Sequence, residues 1–298
     1  MSDSANTLII GVDGGGTGCR VAIGTLDGKV VARAEGGRAN IASDPELAIG
    51  NIIKTVEAAA IDGAIAVDRL STATAHLGLA GVMTTQDAQM VASALPYRDT
   101  FVTDDRSTAL NGAFGGQDGV LLSVGTGTIA AGRKDGVYRS LGGWGFYVGD
   151  QASGSWLGKK CLRQVLLCHD GIAQHSELTR ALFAKFGDDP NEIVAFSMSA
   201  KPGDYGAFAP EVVSWAKAGD PIGKKIVQKG ATHLLRCLKV LQFNAGDPLC
   251  LTGGVGPHYA SYLPDDVTAG LVKPLGNALD GAFAFAKARA ETCQEGVS

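Results

Sequence analysis

The sequence predicts an α/β protein built from two related domains. A length of 298 residues suits two domains of ordinary size. Over residues 8–37 an apolar strand, a glycine–threonine loop, a second strand, an Asp-Gly turn and a third strand follow one another, and the same order returns over residues 119–143. This repetition indicates an internal duplication in which each domain begins with the same antiparallel unit.

The first half of the chain alternates strands with helices. The first predicted strands are Leu8–Val12, Cys19–Thr25 and Val30–Glu35. Asp27 and Gly28 predict a hairpin turn between the last two. Asp44 is typical of a helix N-cap, and Pro45 of the first helical position. The strand "TAHLGLAGV", the helix "TTQDAQMVASAL", the strand "TFVTDD" and the helix "RSTALNGAFGG" then follow in that order.

The chain after residue 149 is predicted to be mostly helical, and its longest helix begins at Asp220 and Pro221. A buried strand, "DPLCLTGGVG", runs into a third glycine loop, and residues 274–293 form a closing helix. We predict domains at residues 1–114 and 115–298, and leave open that the last helix packs back on the first domain. Because no long linker separates the halves, we expect a cleft between them.

Composition and charge exclude several function classes. The net charge is −4 and no basic stripe is present, so we expect no nucleic-acid or membrane partner. None of the six cysteines forms a CxxC pair, which argues against a zinc or redox motif. The polar N-terminus leads directly into a strand, and no apolar run approaches the ~20 residues that cross a bilayer. We therefore predict a cytoplasmic protein.

Three glycine loops each follow an apolar strand. Their residues are Gly14, Gly15, Gly16 and Thr17 in the first loop, Gly125, Thr126 and Gly127 in the second, and Gly253 and Gly254 in the third. Glycine lets successive backbone N–H groups approach an anion, and threonine hydroxyls add donors, so a polyphosphate is the expected ligand. A P-loop would need a lysine and a following helix, and a dinucleotide motif a following helix. One such loop alone would favour an ordinary tight turn, whereas three loops at strand ends, two of them in the duplicated units, favour phosphate binding.

Carboxylates stand at two predicted strand ends. Asp13 lies beside the first glycine loop, where it is a candidate ligand for Mg²⁺, directly or through water, or a turn-forming residue. Asp104 and Asp105, in "FVTDDRS", are two adjacent candidate bases. The alternative for both is a role at the start of the following helix.

These motifs resemble those of a known superfamily. "GVDGGGTGCRVAIGTLDGKVVA" is similar to the first phosphate motif of the actin/hexokinase/heat-shock-chaperone ATPases, "LLSVGTGTIAAG" to the second, and "LCLTGGVG" to the adenosine motif. Within that superfamily, "LGGWGFYVGDQASGSWLG" resembles a segment of the N-acetylglucosamine kinases and the related BadF/BadG/BcrA/BcrD ATPase family. The resemblance covers about residues 8–290.

The resemblance implies two ribonuclease H-like, actin-like ATPase domains, each a mixed sheet of the five-stranded type flanked by helices. It implies an ATP- and Mg²⁺-dependent kinase that phosphorylates the 6-hydroxyl of an amino sugar, with closure of the two domains around the sugar. Asp104 corresponds to the catalytic base, Asn40 and Asp150 to sugar-binding residues, and Trp144 to a flat wall beside the sugar. Their structural alternatives are a turn for Asn40, an N-cap for Asp150 and core packing for Trp144. A homodimer is left open.

Two departures from the family pattern bear on the substrate. Gln151 stands where the family usually has glutamate, and Ala80 and Gly81 stand where a sugar-contacting serine is expected. Glucosamine is therefore an alternative to N-acetylglucosamine. One rival function is an ATPase activator of a dehydratase or reductase, which needs cysteine ligands for an iron–sulfur cluster. The other is a repressor-type sugar sensor, which would need a DNA-binding extension.

Overall fold

The structure, a computed structural model, describes residues 7–295. The chain divides into a first unit, Met1–Gln117 with Pro274–Ser298, and a second unit, Asp118–Lys273. The predicted boundary lies after residue 114, and the sequence leaves open whether the closing helix, within the predicted second domain, packs back on the first. In the structure that helix belongs to the first unit. Among the described residues, no helix is both long and apolar enough to cross a membrane.

Nine strands and eleven α-helices are described. The strands are β1 (Leu8–Gly14), β2 (Cys19–Thr25), β3 (Val30–Gly36), β4 (Thr74–Leu79), β5 (Asp99–Asp104), β6 (Gly119–Val124), β7 (Thr128–Lys134), β8 (Val137–Gly142) and β9 (Leu249–Thr252). The helices are α1 (Pro45–Asp62), α2 (Thr85–Ala94), α3 (Asp105–Phe114), α4 (Gly154–His169), α5 (Glu177–Ala184), α6 (Pro190–Ser199), α7 (Pro202–Gly206), α8 (Ala209–Ala218), α9 (Pro221–Val240), α10 (Asp265–Thr268) and α11 (Ala278–Glu295). Short 3₁₀ segments cover Val67–Thr72 and Gly256–Tyr262.

The first unit is built on a five-stranded mixed sheet of order β3-β2-β1-β4-β5. The strands β1, β2 and β3 pair antiparallel, as their short connections require. The strands β4 and β5 run parallel to β1, and helices connect them. The predicted helix start is confirmed, because the Asp44 side chain caps α1 by accepting from the Leu47 amide at 3.0 Å, with Pro45 next in the chain.

Alternate residues of β1 face opposite sides of this sheet. Ile10 and Val12 pack with α1 in one core, whereas Ile9 packs with α11 in a second. Gly11 faces α11, and a Cβ at this position would lie 2.6 Å from the backbone nitrogen of Phe283. The absence of a side chain at Gly11 therefore lets the closing helix lie directly against the central strand.

A buried histidine lies under α11. The His76 side chain on β4 is 3% exposed, its Nε2 lies 3.2 Å from the Thr103 hydroxyl, and its ring is 4.8 Å from that of Phe285. Its Nδ1 has no hydrogen-bond partner among residues 7–295. Burial, reinforced by the charge of Arg289, lowers the pKa of His76 from 6.5 to about 4. The ring is therefore a neutral core residue, as its apolar strand predicted.

His76 should make the protein less stable in mild acid. Because the folded protein binds this proton more weakly than the unfolded chain, the stabilising contribution is complete above pH 6.5 and is lost as the pH falls towards about 4. The full loss is about 3 kcal/mol, since one pKa unit corresponds to ~1.4 kcal/mol. His76→Phe should flatten the free energy of unfolding between pH 4 and 6.5. His169→Phe, at an exposed site, should keep the wild-type slope; an unchanged slope in the first variant would contradict the assignment.

The second unit is built on a four-stranded sheet of order β8-β7-β6-β9. The expectation of a fifth strand is wrong for this sheet in the described structure. In its place is a single parallel bridge between Leu249 and Leu271, with a hydrogen bond from the Val272 amide to the Leu249 carbonyl at 2.9 Å. Pairing is not extended, because the chain soon reaches Pro274, which has no N–H to donate.

The repetition read from the sequence is present in both sheets. In each, three consecutive antiparallel strands are followed by a strand that pairs parallel to the first, β4 with β1 and β9 with β6. Both predicted hairpin turns are formed, with positive φ angles at Gly28, Asp135 and Gly136. The mainly helical character predicted after residue 149 is also confirmed, and the core of this unit lies between its sheet and α4, α5, α8 and α9.

Candidate active site

In the first unit, three strands bring their carboxyl ends to one edge of the sheet. Because β1, β4 and β5 are parallel, Asp13 lies opposite Gly78, and Asp104 lies opposite Leu79. The first glycine loop and the predicted catalytic carboxylate therefore belong to the same edge. Ligands of open α/β sheets bind outside such carboxyl ends, which makes this edge a candidate site.

Asp104 is the last residue of β5 and the N-cap of α3. Its Oδ1 accepts from the Ser107 amide at 2.9 Å and from the Ser107 hydroxyl at 3.2 Å. The guanidinium of Arg106 lies 3.3 Å from Oδ2. These contacts hold the carboxylate in one orientation, and its side chain is 20% exposed. The expected position at the strand end, with Asp105 beginning the helix, is confirmed.

The neighbouring carboxyl group of Asp105 has a raised pKa. Burial raises its pKa above the ordinary value, and the charges of Asp104 and Asp13 raise it further, while Arg106 opposes the shift. Three carboxyl groups therefore lie near one another at this edge, and Arg20 and Arg106 are paired with two of them.

The first loop is held by backbone hydrogen bonds to its surroundings. The Gly15 amide donates to the Gly18 carbonyl at 2.8 Å, and the Ala39 amide donates to the Gly15 carbonyl at 2.9 Å. Gly14 is buried, and a Cβ there would lie 2.6 Å from the Leu79 side chain, whereas Gly16 is exposed. The loop therefore has a packed base and an exposed tip, which Thr17 shares.

Asp13 is paired with a cation that the sequence analysis did not consider. Both guanidinium contacts of Arg20, on the adjacent strand β2, fall on Oδ2 of Asp13. The Asp13 side chain is 15% exposed. It is therefore largely buried, and one of its two oxygens is already engaged.

Asn40 lies in the segment that crosses this edge after β3. Its Oδ1 accepts from the amides of Ala42 and Ser43 at 3.0 and 3.2 Å, which closes a local turn. The side-chain oxygen of Asn40 therefore has the role of a turn residue, which was the structural alternative for this position. The Nδ2 group has no hydrogen-bond partner among residues 7–295 and remains able to donate to a ligand.

In the second unit, the other two glycine loops lie side by side. The strands β6 and β9 are parallel neighbours, and Ser123 lies opposite Thr252, so both loops leave the same edge of the sheet. The Val255 amide of the third loop donates to the Val124 carbonyl at 2.9 Å. The second and third glycine loops therefore lie next to each other at one edge of the sheet.

The second loop is also joined to the start of α4. The Ser155 hydroxyl donates to the Thr126 carbonyl at 2.6 Å, and the Gly154 amide donates to the Gly125 carbonyl at 2.7 Å. Ser153 caps this helix by accepting from the Trp156 amide at 3.1 Å. The positive end of a 16-residue helix thus adjoins the glycine loop, which favours an anion there.

A pocket of about 320 Å³ opens between these elements within the second unit. Its lining residues are Gly125, Thr126, Gly154, Gly206, Ala209, Pro210, Val213, Gly254, Val255 and His258. The backbone of several glycines forms one part of the pocket wall, and apolar side chains of α8 form another part. This combination suits an elongated ligand with an anionic part and a flat apolar part.

Asp150 lies against the second loop. Its Oδ1 accepts from the Thr128 amide at 3.3 Å, and a Cβ on Gly127 would lie 3.2 Å from both carboxylate oxygens. Burial raises the pKa of Asp150, and the hydrogen bond from Thr128 opposes that shift. The alternative of an N-cap role is wrong, because Ser153 caps α4.

Trp144 belongs to the loop that precedes Asp150. Its side chain is 64% exposed, so the core-packing alternative is wrong. The neighbouring Phe146 anchors this loop instead, with its ring 4.9 Å from that of Tyr205 and the Lys159 ammonium 4.5 Å from its centre. Trp144 is therefore presented to solvent by a fixed loop.

Several pocket residues were missed by the sequence analysis. Pro210, Val213 and His258 carry no motif, and only the fold brings α8 beside the third loop. The serine that precedes α4 was a readable signal, since Ser is a preferred N-cap. Among the described residues, no group of three or more His, Cys, Asp or Glu side chains forms a metal site.

The two mixed sheets, with glycine loops at their edges, have the fold of the actin-like ATPases. A glucokinase of the ROK family from Streptomyces griseus, solved with glucose and AMPPNP, shares this fold at a TM-score of 0.54 and 14% identity, with 94% of this chain and 99% of that chain covered. The model of the BadF/BadG/BcrA/BcrD ATPase family matches residues 10–267, and the chain belongs to that family.

Two proteins that are more similar in sequence to this chain than the ROK glucokinase is are named as kinases. The chain is 32% identical to a glucosamine kinase of Vibrio cholerae over 278 residues, which cover 93% of this chain and 95% of that protein. A solved structure from Chromobacterium violaceum, described as a candidate N-acetylglucosamine kinase, aligns at a TM-score of 0.84 with 33% identity and covers 94% of this chain and 99% of that one. Membership of the family implies that this chain binds ATP.

Proposed function

We propose that the protein is an ATP-dependent amino-sugar kinase that transfers the γ-phosphoryl group of ATP to the 6-hydroxyl of glucosamine or N-acetylglucosamine. The names of its similar relatives support the substrate class. The pocket of the second unit, with glycine amides, a helix N-terminus and apolar α8 side chains, supports binding of a nucleotide.

The single observation that carries the proposal is the placement of Asp104. A largely buried carboxylate stands at the carboxyl end of a parallel strand, oriented by Ser107 and Arg106. Phosphoryl transfer needs little covalent chemistry from the protein beyond alignment, charge neutralisation and a group to receive the alcohol proton. Asp104 would accept that proton as the sugar oxygen attacks the γ-phosphorus.

The carboxylates of the first unit fit Mg²⁺ only as an ion that arrives with ATP. Mg²⁺ keeps most of its ligands as water and substrate phosphate, so one carboxylate is sufficient. Asp13 is our candidate, directly or through water, because it adds to the negative charge that raises the pKa of Asp105. When bound, the ion would neutralise charge on the transferred phosphoryl group.

For the sugar, Asn40 and Asp150 are the proposed polar partners and Trp144 the proposed flat wall. Asn40 retains an amide donor, and Asp150 a half-buried carboxylate. A carboxylate would favour a cationic 2-amino group over a neutral acetamide, which supports glucosamine. The position expected to carry a sugar-binding serine contributes backbone contacts instead, since the Ala80 amide donates to the Gly14 carbonyl at 2.8 Å.

The proposal is tested by measuring ADP release with purified protein, ATP and Mg²⁺ over a panel of hexoses and hexosamines. We expect glucosamine or N-acetylglucosamine to be the fastest substrate, and the 6-deoxy analogue of that sugar to be inactive. Phosphorus NMR of the product should show a 6-phosphate. ADP release that is slow and equal for every sugar, and no faster than without sugar, would refute a kinase function.

A further inference from the structure

One face of α8 runs along the nucleotide pocket. Ala209 and Val213, both in the pocket lining, are followed by Lys217, and these three residues recur every fourth position, so they share a face of the helix. A Cβ on Gly154 would lie 3.3 Å from the Cβ of Ala209, which places this end of the face beside the glycine loop. Lys217 lies about 12 Å further along the helix, at ~1.5 Å per residue.

The far end of this face carries a lysine–histidine pair. The Lys217 ammonium lies 2.9 Å from Nδ1 of His258, which itself lines the pocket. An ammonium group can only donate, so Nδ1 must accept and the ring hydrogen resides on Nε2. Burial, followed by the charge of Lys217, lowers the pKa of His258, which favours this neutral ring. Nε2 has no hydrogen-bond partner among residues 7–295.

The two ends of the pocket therefore differ in chemistry. The Gly125 end contains the second glycine loop and the N-terminus of α4, whose helix dipole suits phosphate. The middle is apolar, with Pro210, Val213 and Val255. The His258 end offers one neutral N–H donor. A nucleotide that lies along α8 with its phosphates on the glycine loop would bring its nucleoside to His258.

We propose that His258 recognises the nucleoside of ATP by donating a hydrogen bond from Nε2–H, and that Lys217 is a positioning residue that holds His258 in this tautomer. The proposal rests on the proposed function only in taking this pocket as the site for ATP. It assigns a specificity role to two residues that no sequence motif marks.

The first test compares the dissociation constants of ATP, ADP and inorganic tripolyphosphate by calorimetry. His258→Phe should weaken ATP and ADP by roughly 3- to 10-fold, the range expected for one hydrogen bond, and leave tripolyphosphate unchanged. His258→Gln, which retains an N–H donor, should recover part of the loss. His169→Phe, at an exposed site on α4, is the matched control and should bind all three ligands as the wild type does.

Two results would overturn the role of His258. One is wild-type ATP affinity in His258→Phe, and the other is an equal loss for ATP and tripolyphosphate, which would indicate general damage to the pocket. The role of Lys217 is tested by two-bond ¹H–¹⁵N correlation spectra of the histidine rings. We expect the Nε2–H form for His258 in the wild type and in Lys217→Arg, and a mixture of tautomers in Lys217→Met. The same tautomer in Lys217→Met would refute positioning by Lys217.

These measurements need no sugar, so they separate the inference from the proposed function. If His258→Phe selectively weakens ATP but no amino sugar stimulates ADP release, the kinase proposal fails and the nucleoside assignment stands. If amino-sugar phosphorylation is observed and His258→Phe binds ATP normally, the kinase proposal stands and this inference fails.

Discussion

Asp104→Asn should lower the kcat of amino-sugar phosphorylation by about 10²–10⁴, the usual contribution of a general base, while the dissociation constant for ATP stays within about 2-fold of wild type. The asparagine amide cannot accept the sugar proton. It can still cap α3 through its carbonyl oxygen, because Asn and Asp are comparable N-caps, so the fold should be retained. The measurement is steady-state kinetics at saturating ATP and sugar, with calorimetry for ATP.

Asp105→Asn is the matched control, because it removes the adjacent carboxylate while leaving the Asp104 cap in place. We expect a much smaller loss of kcat in this variant. If Asp105→Asn instead suffers the larger loss, the base is the carboxyl group with the raised pKa and not Asp104. If both variants retain kcat within 10-fold, neither carboxylate acts as a general base.

Gly253→Ala should destabilise the protein by about 2–5 kcal/mol. Gly253 has φ of +79°, a left-handed conformation that costs a residue with a Cβ roughly 1–2 kcal/mol. An added Cβ would also overlap the carbonyl group of Val124, and overpacking of this kind typically costs about 1–3 kcal/mol more. The urea midpoint of unfolding measures the combined effect.

Gly254→Ala provides the control at the neighbouring position. Apart from its two chain neighbours, no atom of residues 7–295 would lie within 4 Å of a Cβ at Gly254, and its φ is not in the left-handed region, so stability should change by at most about 0.5 kcal/mol. Equal stabilities of the two variants would show that the third loop does not depend on the backbone conformation of Gly253. The comparison of the two stabilities therefore distinguishes Gly253, which the bend of the loop requires, from Gly254, which lines the pocket.

Local chemistry explains why many elements were predictable. The Asp-Gly turns, the Asp44 cap and Pro45 act through neighbouring residues, so their consequences can be read without knowledge of the fold. The same holds for Asp104, whose place at the junction of strand and helix follows from an apolar run meeting a polar start. The repeated order of strand, loop and strand predicted the duplicated unit before any contact was known.

Long-range packing explains what the sequence analysis missed or got wrong. The fifth strand of the second sheet is reduced to one bridge at Leu271, which periodicity alone cannot show. The membership of α11 in the first unit depends on contact between Gly11 and Phe283, residues far apart in the chain. Asp150 does not cap α4, and its carboxylate instead accepts from the Thr128 amide, 22 residues away in the chain.

By itself, the sequence determined the α/β class, the duplicated strands, the three glycine loops and the carboxylates at strand ends, because each depends on the conformational preferences of a few adjacent residues. Only the tertiary structure decided that α11 packs against the first sheet and that Val213 of α8 and His258 line one pocket with the second glycine loop. Such contacts join residues that are distant in the chain, and their energies arise only after the sheets and helices have packed.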